Sequence, residues 1–325
     1  MILVRAPLRI SFFGGGSDLP AFYTKETGYV LSTTIDKSIY LGINRSNHDY
    51  VKVVYSEIEI EKDISKIKHN IVRETLKHFG IKDNIEISTF ADVPVKGTGL
   101  GSSSSYCTAL IRACAHLNGN KISAREVAEM ACKIEIEKCR EPIGKQDQYA
   151  AAFGGFNLFT FEKDDIKVTP VKLSSQMHTL IEESILLFYT GVVRNARDVL
   201  ADQTAGLKNE SNKIEATKKM AQIAIDAYEL LPTNNVDVFG HLLDSAWKIK
   251  KTLAGNITTP LIDQMYEAAI DNMAWGGKVL GAGGGGYLMV MANPKYHSNI
   301  KKALKQFPCF SVKLFNKGTE IVYNN

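Results

Sequence analysis

Apolar runs rich in β-branched and aromatic residues recur through the first half of the chain, and such runs are typical of β-strands. Between them, helical spacing of apolar residues predicts helices at Ser65–Phe79 and from Ser102 onward. Ser123 and Glu126 have the spacing of a capping box, which predicts a further helix that ends before Pro142. The predicted strands of this half are Ile2–Arg9, Tyr29–Ile35, Ser38–Asn44, Val51–Tyr55, Ile85–Phe90, Gly155–Phe161 and Ile166–Val171.

The pattern becomes mainly helical between about Asn195 and Met273, with Lys213–Leu231 and Phe239–Leu253 as examples. No repeat, low-complexity linker or charge block in the sequence marks a domain boundary. The remaining predicted elements are a helix at Gln146–Phe153, a strand at Ile185–Tyr189, a strand at Tyr287–Met291, a helix at Pro294–Phe307 and a strand at Ser311–Phe315.

The composition is that of a globular protein with a sizeable core. The 325 residues are 45% hydrophobic and 23% charged, and they suffice for two domains of ordinary size. The net charge of +4 is mild and the lysines are scattered among acidic residues. This distribution argues against nucleic acid or a membrane surface as a partner, and it is compatible with anionic substrates.

Cysteine and histidine usage indicates neither a disulfide framework nor a zinc site. The five cysteines are odd in number and contain no Cys-x-x-Cys pair, and the seven histidines are dispersed. Residues 1–13 carry two arginines within an apolar stretch, which favours a strand over a signal peptide. No apolar run approaches the length of a membrane span. We therefore predict buried thiols in a reducing, cytoplasmic environment.

A glycine- and serine-rich stretch at residues 97–105 is the most informative part of the sequence. Glycines let the main chain approach an anion closely, and the first amides of the following helix favour negative charge. The stretch lacks the Gly-Lys-Ser/Thr ending of a Walker loop and the spacing of a dinucleotide fingerprint. We interpret it as a phosphate cradle; on this stretch alone, a flexible turn before a core helix stays open. The residues predicted to contact phosphates are Gly97, Thr98, Gly99, Leu100, Gly101, Ser102, Ser103 and Ser104.

Three motifs, in this order along the chain, resemble those of the GHMP small-molecule kinases, which include galactokinase, homoserine kinase and mevalonate kinase. The first runs from Ala-Pro-Leu-Arg at residues 6–9 to Asp18. The second is the Gly-Leu-Gly-Ser-Ser-Ser run that follows Pro94, and the third is the glycine tract at residues 281–286. The motifs span nearly the whole chain, so the resemblance concerns the complete fold.

The resemblance implies a two-domain α+β fold with the active site in the cleft between the domains. A ribosomal-S5-like, ATP-binding domain would cover residues 1–175 and a ferredoxin-like domain residues 176–325. The resemblance also implies phosphoryl transfer from ATP with Mg²⁺, which prefers hard oxygen ligands. By resemblance, Ser103 and Glu135 hold the metal; the alternative for Glu135 is a solvated surface position.

The resemblance further identifies a catalytic pair. Asp147 lies in Gly-Lys-Gln-Asp-Gln at residues 144–148, which looks like the segment where galactokinase and mevalonate kinase keep their catalytic aspartate. Arg9 would stabilise both this anion and the developing phosphoryl charge, and Lys145 would add positive charge nearby. The alternatives are a helix N-terminal charge for Asp147 and a strand-edge cation for Arg9.

The first motif indicates the acceptor. Galactokinase-like chains have Gly-Glu-His-Thr-Asp where this chain has Gly-Gly-Gly-Ser-Asp, which exposes amides and keeps an aspartate suited to sugar hydroxyls. This form, with Tyr-Thr-Gly-Val-Val-Arg at residues 189–194, resembles the D-glycero-D-manno-heptose 7-phosphate kinases, whose nearest relatives are bacterial fucokinase domains. Arg194 or Arg197 would bind the distal phosphate. The residues predicted to contact the sugar are Gly15, Gly16, Ser17, Asp18, Gly283, Gly284 and Arg194.

This resemblance implies phosphorylation of the anomeric C1 hydroxyl of a heptose 7-phosphate. The product would be the 1,7-bisphosphate used to make nucleotide-activated heptose for bacterial surface glycans. A fucokinase or another hexose 1-kinase is one alternative, and a non-catalytic ligand-binding protein of the same fold is another. The expected partner is a small-molecule sugar phosphate, and formation of a homodimer stays open.

Overall fold

The computed structural model describes residues 1–94, 97–193 and 196–325, which form two β-sheets covered by helices. The α+β class predicted from the sequence is confirmed. The strands are β1 (Ile2–Phe13), β2 (Gly28–Arg45), β3 (Val51–Val54), β4 (Ile58–Glu61), β5 (Ile85–Ala91), β6 (Phe156–Phe161), β7 (Ile166–Pro170), β8 (Ile185–Tyr189), β9 (Ala274–Val279), β10 (Tyr287–Ala292), β11 (Cys309–Phe310), β12 (Leu314–Phe315) and β13 (Glu320–Asn324). The helices are α1 (Pro20–Tyr23), α2 (Asn70–His78), α3 (Ser102–Leu117), α4 (Ala124–Cys132), α5 (Gln146–Phe153), α6 (Ser175–Ser184), α7 (Ala196–Asn209), α8 (Ser211–Leu230), α9 (Val236–Lys250), α10 (Pro260–Asp271) and α11 (His297–Ala303).

Strand β2 is a central strand of the larger sheet, which has nine strands within the described residues. It pairs antiparallel with β1, and its two halves pair with β6 and β5. The sequence predicted two strands here because Asp36 and Lys37 interrupt the apolar pattern. In the structure these residues lie at a bulge opposite Leu8, where the register between β1 and β2 shifts. One long bent strand therefore replaces the two predicted ones.

Strand β9 belongs to the smaller sheet, in which the described strands follow the order β11-β8-β10-β9. The sequence did not predict β9, because its adjacent glycines resemble a loop. These glycines instead let helix α9 lie close to the strand: a Cβ on Gly276 would be 2.3 Å from the carbonyl oxygen of Gly240. This close packing fixes Lys250 at the end of α9 and Lys278 on β9.

The chain returns to the larger sheet at its end. Of the predicted strand at Ser311–Phe315 only the last two residues form a strand, β12, which pairs with β2. Strand β11 lies just before the predicted range and pairs with β8. Strand β13, which the sequence did not predict, pairs with β1. Near residue 175 the Ser174 hydroxyl accepts a hydrogen bond from the Met177 amide and caps helix α6. The division into residues 1–175 and 176–325 stays a prediction.

Two apolar cores hold the layers together. The larger one lies under β1, β2 and α3, and it includes a perpendicular contact between Phe13 and Phe239, with ring centroids 4.9 Å apart. The smaller one packs α9 and α10 on the smaller sheet around the buried Trp247. All five cysteines are free; Cys107, Cys114 and Cys132 are buried as predicted, whereas Cys139 and Cys309 are half-buried. No helix of the described segments is long and apolar enough to cross a membrane.

Candidate active site

A cavity of about 270 Å³ lies where the three sequence motifs approach one another. Its lining comes from the end of β1, the loop before α3 and the start of α5. Helices α7 and α9 and strand β9 contribute further residues from the second half of the chain. The cavity therefore draws on both halves of the sequence, as the resemblance implied.

The loop at residues 97–101 depends on glycine at several points. Gly97, Gly99 and Gly101 all have positive φ angles, and a Cβ on Gly99 would lie 2.2 Å from the carbonyl oxygen of Leu280. Gly101 is the N-cap of α3 and contributes no side chain to bond the first helical amides. Such a helix start is suited to an anion. Of the predicted phosphate contacts, Leu100 is fully buried and does not line the cavity.

Glu135 is completely buried at the cavity, so the alternative of a solvated surface position is wrong. A π-helical turn, Lys133–Lys138, follows α4 and carries this residue. The hydroxyls of Ser103 and Ser104 donate to the two Glu135 carboxylate oxygens, each at 2.7 Å, and Gln148 Nε2 donates at 2.8 Å. Burial raises the pKa of Glu135 to about 7, although the three hydrogen bonds oppose the rise.

Arg9 and Asp147 form a two-pronged ion pair. The Nε and Nη2 atoms of Arg9 donate to the two carboxylate oxygens of Asp147, both at 2.8 Å, and Nη1 donates to the carbonyl oxygen of Gly99. The Arg9 side chain is 3% exposed, whereas that of Asp147 is 26% exposed. The pair thus fixes the carboxylate next to the glycine loop and leaves part of it open to the cavity.

Asp18 lies within the same cavity and is almost completely buried. Its Oδ1 atom accepts from the Gly16 amide at 3.0 Å and from Gln146 Nε2 at 2.9 Å, and its Oδ2 atom accepts from the Gln146 amide at 3.2 Å. Burial raises the pKa of Asp18; the hydrogen bonds oppose this and the nearby Asp147 charge adds to it. Gln146, which the sequence analysis did not single out, therefore joins the loop that carries Asp18 to the helix start that carries Asp147.

Gly144 leaves the space in which the Asp18 carboxylate lies. A Cβ at this position would be 1.9 Å from Asp18 Oδ2, so we expect Gly144→Ala to displace the carboxylate and to lower the free energy of unfolding by about 1–3 kcal/mol. Urea denaturation measures this change. Gly255→Ala is the matched control, because a Cβ there meets no atom within 4 Å, and its effect should stay within about 0.5 kcal/mol. Equal stability of the two variants would contradict this packing.

Three of the predicted sugar contacts do not line the cavity. The Ser17 hydroxyl donates to the carbonyl oxygen of Gly14 at 2.7 Å and accepts from the Tyr29 amide at 3.0 Å, so it holds the loop together. Gly283 and Gly284 pack on Ile257, whose carbonyl oxygen accepts from the Gly284 amide at 2.7 Å. Gly15, Gly16 and Asp18 do line the cavity. Arg194 lies outside the described residues.

Arg197 and Lys145 have different surroundings. Arg197 lines the cavity from α7 and binds the Glu141 carboxylate with Nε and Nη2, at 3.0 and 2.7 Å. Lys145 lies instead over the Tyr23 ring, with 5.2 Å between Nζ and the ring centroid. An anionic ligand in the cavity could therefore bind Arg197 in place of Glu141. Lys145 does not line the cavity and has no such position.

Two further cavity residues, Lys250 and Lys278, were missed by the sequence analysis. Both are 4% exposed, an unusual degree of burial for lysine. A signal for Lys250 was present in the sequence, because Leu243 and Ala246 precede it at helical spacing and place it on the apolar face of α9. Lys278 lies between glycines and aliphatic residues and gave no comparable signal.

The donor set at Ser103 and Glu135 fits a magnesium ion. Both residues offer hard oxygen atoms in the cavity, beside the glycine loop. Within the part of the chain that the structure describes, no group of three or more His, Cys, Asp and Glu residues converges as a metal site. A two-ligand site suits Mg²⁺, which commonly takes its other ligands from phosphate and water.

Comparison with known proteins shows the family of this chain. The family model described as "GHMP kinases N terminal domain" matches residues 65–155, and the model described as "GHMP kinases C terminal" matches residues 227–309. The chain belongs to the GHMP kinases. Kinases of this family use ATP as the phosphoryl donor.

Particular relatives extend over the whole chain. A D-glycero-alpha-D-manno-heptose 7-phosphate kinase of Campylobacter jejuni is 30% identical over 320 residues, which are 94% of this chain and 93% of that protein. The crystal structure of a D-glycero-D-manno-heptose 1-phosphate kinase from Bacteroides thetaiotaomicron superposes with a TM-score of 0.82, at 25% identity, and the match covers both chains completely. A bifunctional fucokinase/GDP-fucose pyrophosphorylase of Arabidopsis thaliana is 28% identical over 96% of this chain, but over 32% of its own length.

Proposed function

We propose that this protein transfers the γ-phosphoryl group of ATP to the anomeric C1 hydroxyl of D-glycero-D-manno-heptose 7-phosphate, giving the 1,7-bisphosphate. The full-length likeness to heptose-phosphate kinases supports the coarser statement, a sugar-phosphate kinase. The observation that carries the proposal is the Arg9–Asp147 pair, which lies in one cavity with the glycine loop and Asp18. The product would supply nucleotide-activated heptose for surface glycans.

The glycine loop and the start of α3 would bind the ATP phosphates. Gly97, Gly99 and Gly101 keep side chains out of the loop, and the first amides of α3 point their partial positive charge toward its N-terminus. Ser102 and Thr98 line the same cavity and would provide further polar contacts. This chain's own backbone thus supplies most of the phosphate site.

Ser103 and Glu135 would hold Mg²⁺. Bound there, the ion would neutralise negative charge on the phosphates and on the group being transferred. The Ser103 hydroxyl currently donates to Glu135, so binding a cation would require this hydroxyl to present its oxygen instead. Ser104 and Gln148 would keep their bonds to Glu135 and hold its carboxylate in place.

Asp147 is the proposed general base. The proton of the sugar hydroxyl would pass to a carboxylate oxygen of Asp147 as that hydroxyl oxygen attacks phosphorus. Arg9 holds the carboxylate by two hydrogen bonds and would stabilise negative charge on the phosphoryl group. Because an anomeric hydroxyl is relatively acidic, Asp147 would contribute to the rate by orienting this hydroxyl as well as by accepting its proton.

Asp18, Gly15 and Gly16 are the proposed sugar contacts; the Gly15 amide would bind the sugar, and the Gly16 amide already donates to Asp18. Asp18 keeps acceptor capacity beyond its three hydrogen bonds, since a carboxylate has about four lone-pair sites. Arg197 is the proposed contact of the distal phosphate, in exchange for Glu141. A cytoplasmic location suits a protein that uses ATP and keeps five free cysteines.

The Arg197 assignment predicts a substrate-dependent effect. We expect Arg197→Ala to raise KM for heptose 7-phosphate by about 10-fold with little change in kcat, because a charge-assisted hydrogen bond to the distal phosphate is lost. KM for an unphosphorylated sugar should not change. Steady-state kinetics measure both values, and Lys208→Ala on the exposed face of α7 is the charge-matched control. An unchanged KM for heptose 7-phosphate would remove Arg197 from this role.

Fucose or another free hexose is the second candidate acceptor, favoured by the fucokinase likeness over 96% of the chain. The test is ADP release by the purified protein with Mg-ATP and each of heptose 7-phosphate, fucose and mannose. We expect the highest kcat/KM with heptose 7-phosphate. A preference for fucose would keep the kinase and replace the acceptor, and no ADP release with any sugar would support a ligand-binding protein without catalysis.

A further inference from the structure

Lys250 is a buried amine that forms no ion pair within the described residues. Helix α9 ends with this residue, and the side chain reaches the cavity although it is 4% exposed. Its ammonium donates to the carbonyl oxygen of Gly281. Among the described residues no carboxylate forms an ion pair with it, and an ammonium group has two further donors to satisfy.

Lys278, a second amine in the same cavity, is bonded more fully by the protein. It donates to the carbonyl oxygens of Ser11 and Phe12, at 2.8 and 3.0 Å, and so ties β9 to β1 just beyond Arg9. Two of its three donors are used within the protein, and it acts as a positioning residue for β1. Lys250, which has one acceptor among the described residues, retains more donors for a ligand.

The electrostatic surroundings of Lys250 favour an incoming anion. Burial and, to a smaller extent, the Arg9 charge lower the pKa of Lys250, the Asp18 charge opposes them, and the net pKa is about 8. Lys278 is a further cation close to this amine, since the Lys250 charge adds to burial in lowering the pKa of Lys278. An anion that binds here would compensate the buried positive charge of Lys250, which forms no ion pair with any described carboxylate.

The contacts of Gly281 indicate which anion this is. Gly281 packs directly on the glycine loop, since a Cβ on it would lie 2.7 Å from the Cα atom of Gly99. The carbonyl oxygen of Gly99 accepts from Arg9 Nη1, and Arg9 in turn holds Asp147. The Lys250 amine thus lies beside the loop and the Arg9–Asp147 pair, the place where the transferred group meets the proposed base.

We propose that Lys250 binds an oxygen of the terminal phosphoryl group of the bound nucleoside triphosphate, and that it thereby helps to distinguish ATP from ADP. This inference rests on the proposed kinase function and adds a residue from the second half of the chain to the phosphoryl site. Lys250 remains protonated and transfers no proton.

The test compares ATP with ADP for the variant Lys250→Met, which keeps the length of the side chain and removes the charge. With Mg²⁺ and no sugar, titration calorimetry should show ATP binding weakened about 10- to 100-fold. ADP binding should change by less than about threefold, because ADP lacks the terminal group. Lys248→Met is the control: it lies two residues earlier on α9, is 68% exposed, and should change neither affinity.

Two further readouts separate this role from a structural one. Lys250→Met should melt at a higher temperature than the wild type without nucleotide, because a buried, uncompensated charge is removed. The ATP affinity of the wild type should fall as the pH rises through about 8, and that of Lys250→Met should not. A lower melting temperature, or pH profiles that coincide, would overturn the proposal.

The outcomes also distinguish this inference from the proposed function. Equal weakening of ATP and ADP, or an unchanged ATP affinity, would overturn the role of Lys250. Unchanged ATP affinity with weaker binding of heptose 7-phosphate would assign the amine to the acceptor's phosphate, which also overturns it. If the wild type phosphorylates no sugar, the proposed function fails, but the ATP and ADP affinities still decide the role of Lys250.

Discussion

Asp147→Asn is expected to lower kcat by about 10³-fold or more while ATP still binds. An asparagine cannot take up the hydroxyl proton, but its oxygen can still accept one of the two hydrogen bonds from Arg9. The ATP affinity should stay equal or increase, because a negative charge near the phosphates is removed. Rapid-mixing kinetics for turnover and calorimetry for ATP measure the two effects separately.

The control for this variant is Asp164→Asn, which removes the same charge from an exposed position between β6 and β7. It should leave both kcat and the ATP affinity unchanged. If Asp147→Asn turned over sugar at a rate near that of the wild type, Asp147 would not be the base. A large loss of ATP affinity would instead indicate that Asp147 holds the nucleotide site together through Arg9.

Glu135→Gln should have opposite effects on activity and stability. Loss of a magnesium ligand is expected to lower kcat by about 10³-fold, which corresponds to about 4 kcal/mol of transition-state stabilisation. Glutamine resembles the protonated carboxyl group that burial favours here, so the free energy of unfolding at pH 8 should rise by about 1–2 kcal/mol. Activity assays and urea denaturation give the two values, and Glu137→Gln, two residues on and exposed, is the control.

The pH dependence of this stability difference follows from the direction in which the pKa of Glu135 changes on folding. Burial raises the pKa of Glu135 from its ordinary value of 4.5 to about 7, so the ionised form destabilises the folded protein. This destabilisation of the folded protein begins above pH 4.5 and reaches its full size above about pH 7. The stability difference between Glu135→Gln and the wild type should therefore widen from pH 5 to 7 and then level off. A constant difference across this range would contradict a buried carboxylate with a raised pKa at Glu135.

The sequence was sufficient for the parts of the site that motifs encode. The spacing of glycines and serines predicted the loop and the start of α3, and the resemblance placed Arg9 near Asp147, as the ion pair shows. Helical spacing put Glu135 at the edge of the apolar face, four residues after the buried Ala131, but it could not decide between an inward and a solvated carboxylate. Its burial is a property of the packed chain.

The remaining differences arise from contacts between distant segments. The glycine tract looked like a sugar site, but Gly286 serves close packing: a Cβ there would lie 2.5 Å from the carbonyl oxygen of Thr98. Gly283 and Gly284 likewise pack on Ile257. Lys250 and Lys278 reach the cavity only because α9 and β9 approach closely, and no local pattern encodes that approach. Long-range packing of this kind is not visible in sequence periodicity.

Phosphorus NMR of the reaction product tests the central claim most directly. The purified protein would be incubated with Mg-ATP and heptose 7-phosphate until ADP formation stops. The account predicts one new phosphorus resonance coupled to the anomeric proton, with the C7 phosphate retained and one ADP formed for each product molecule. A new phosphate at any other carbon, or ADP without a phosphorylated heptose, would contradict it.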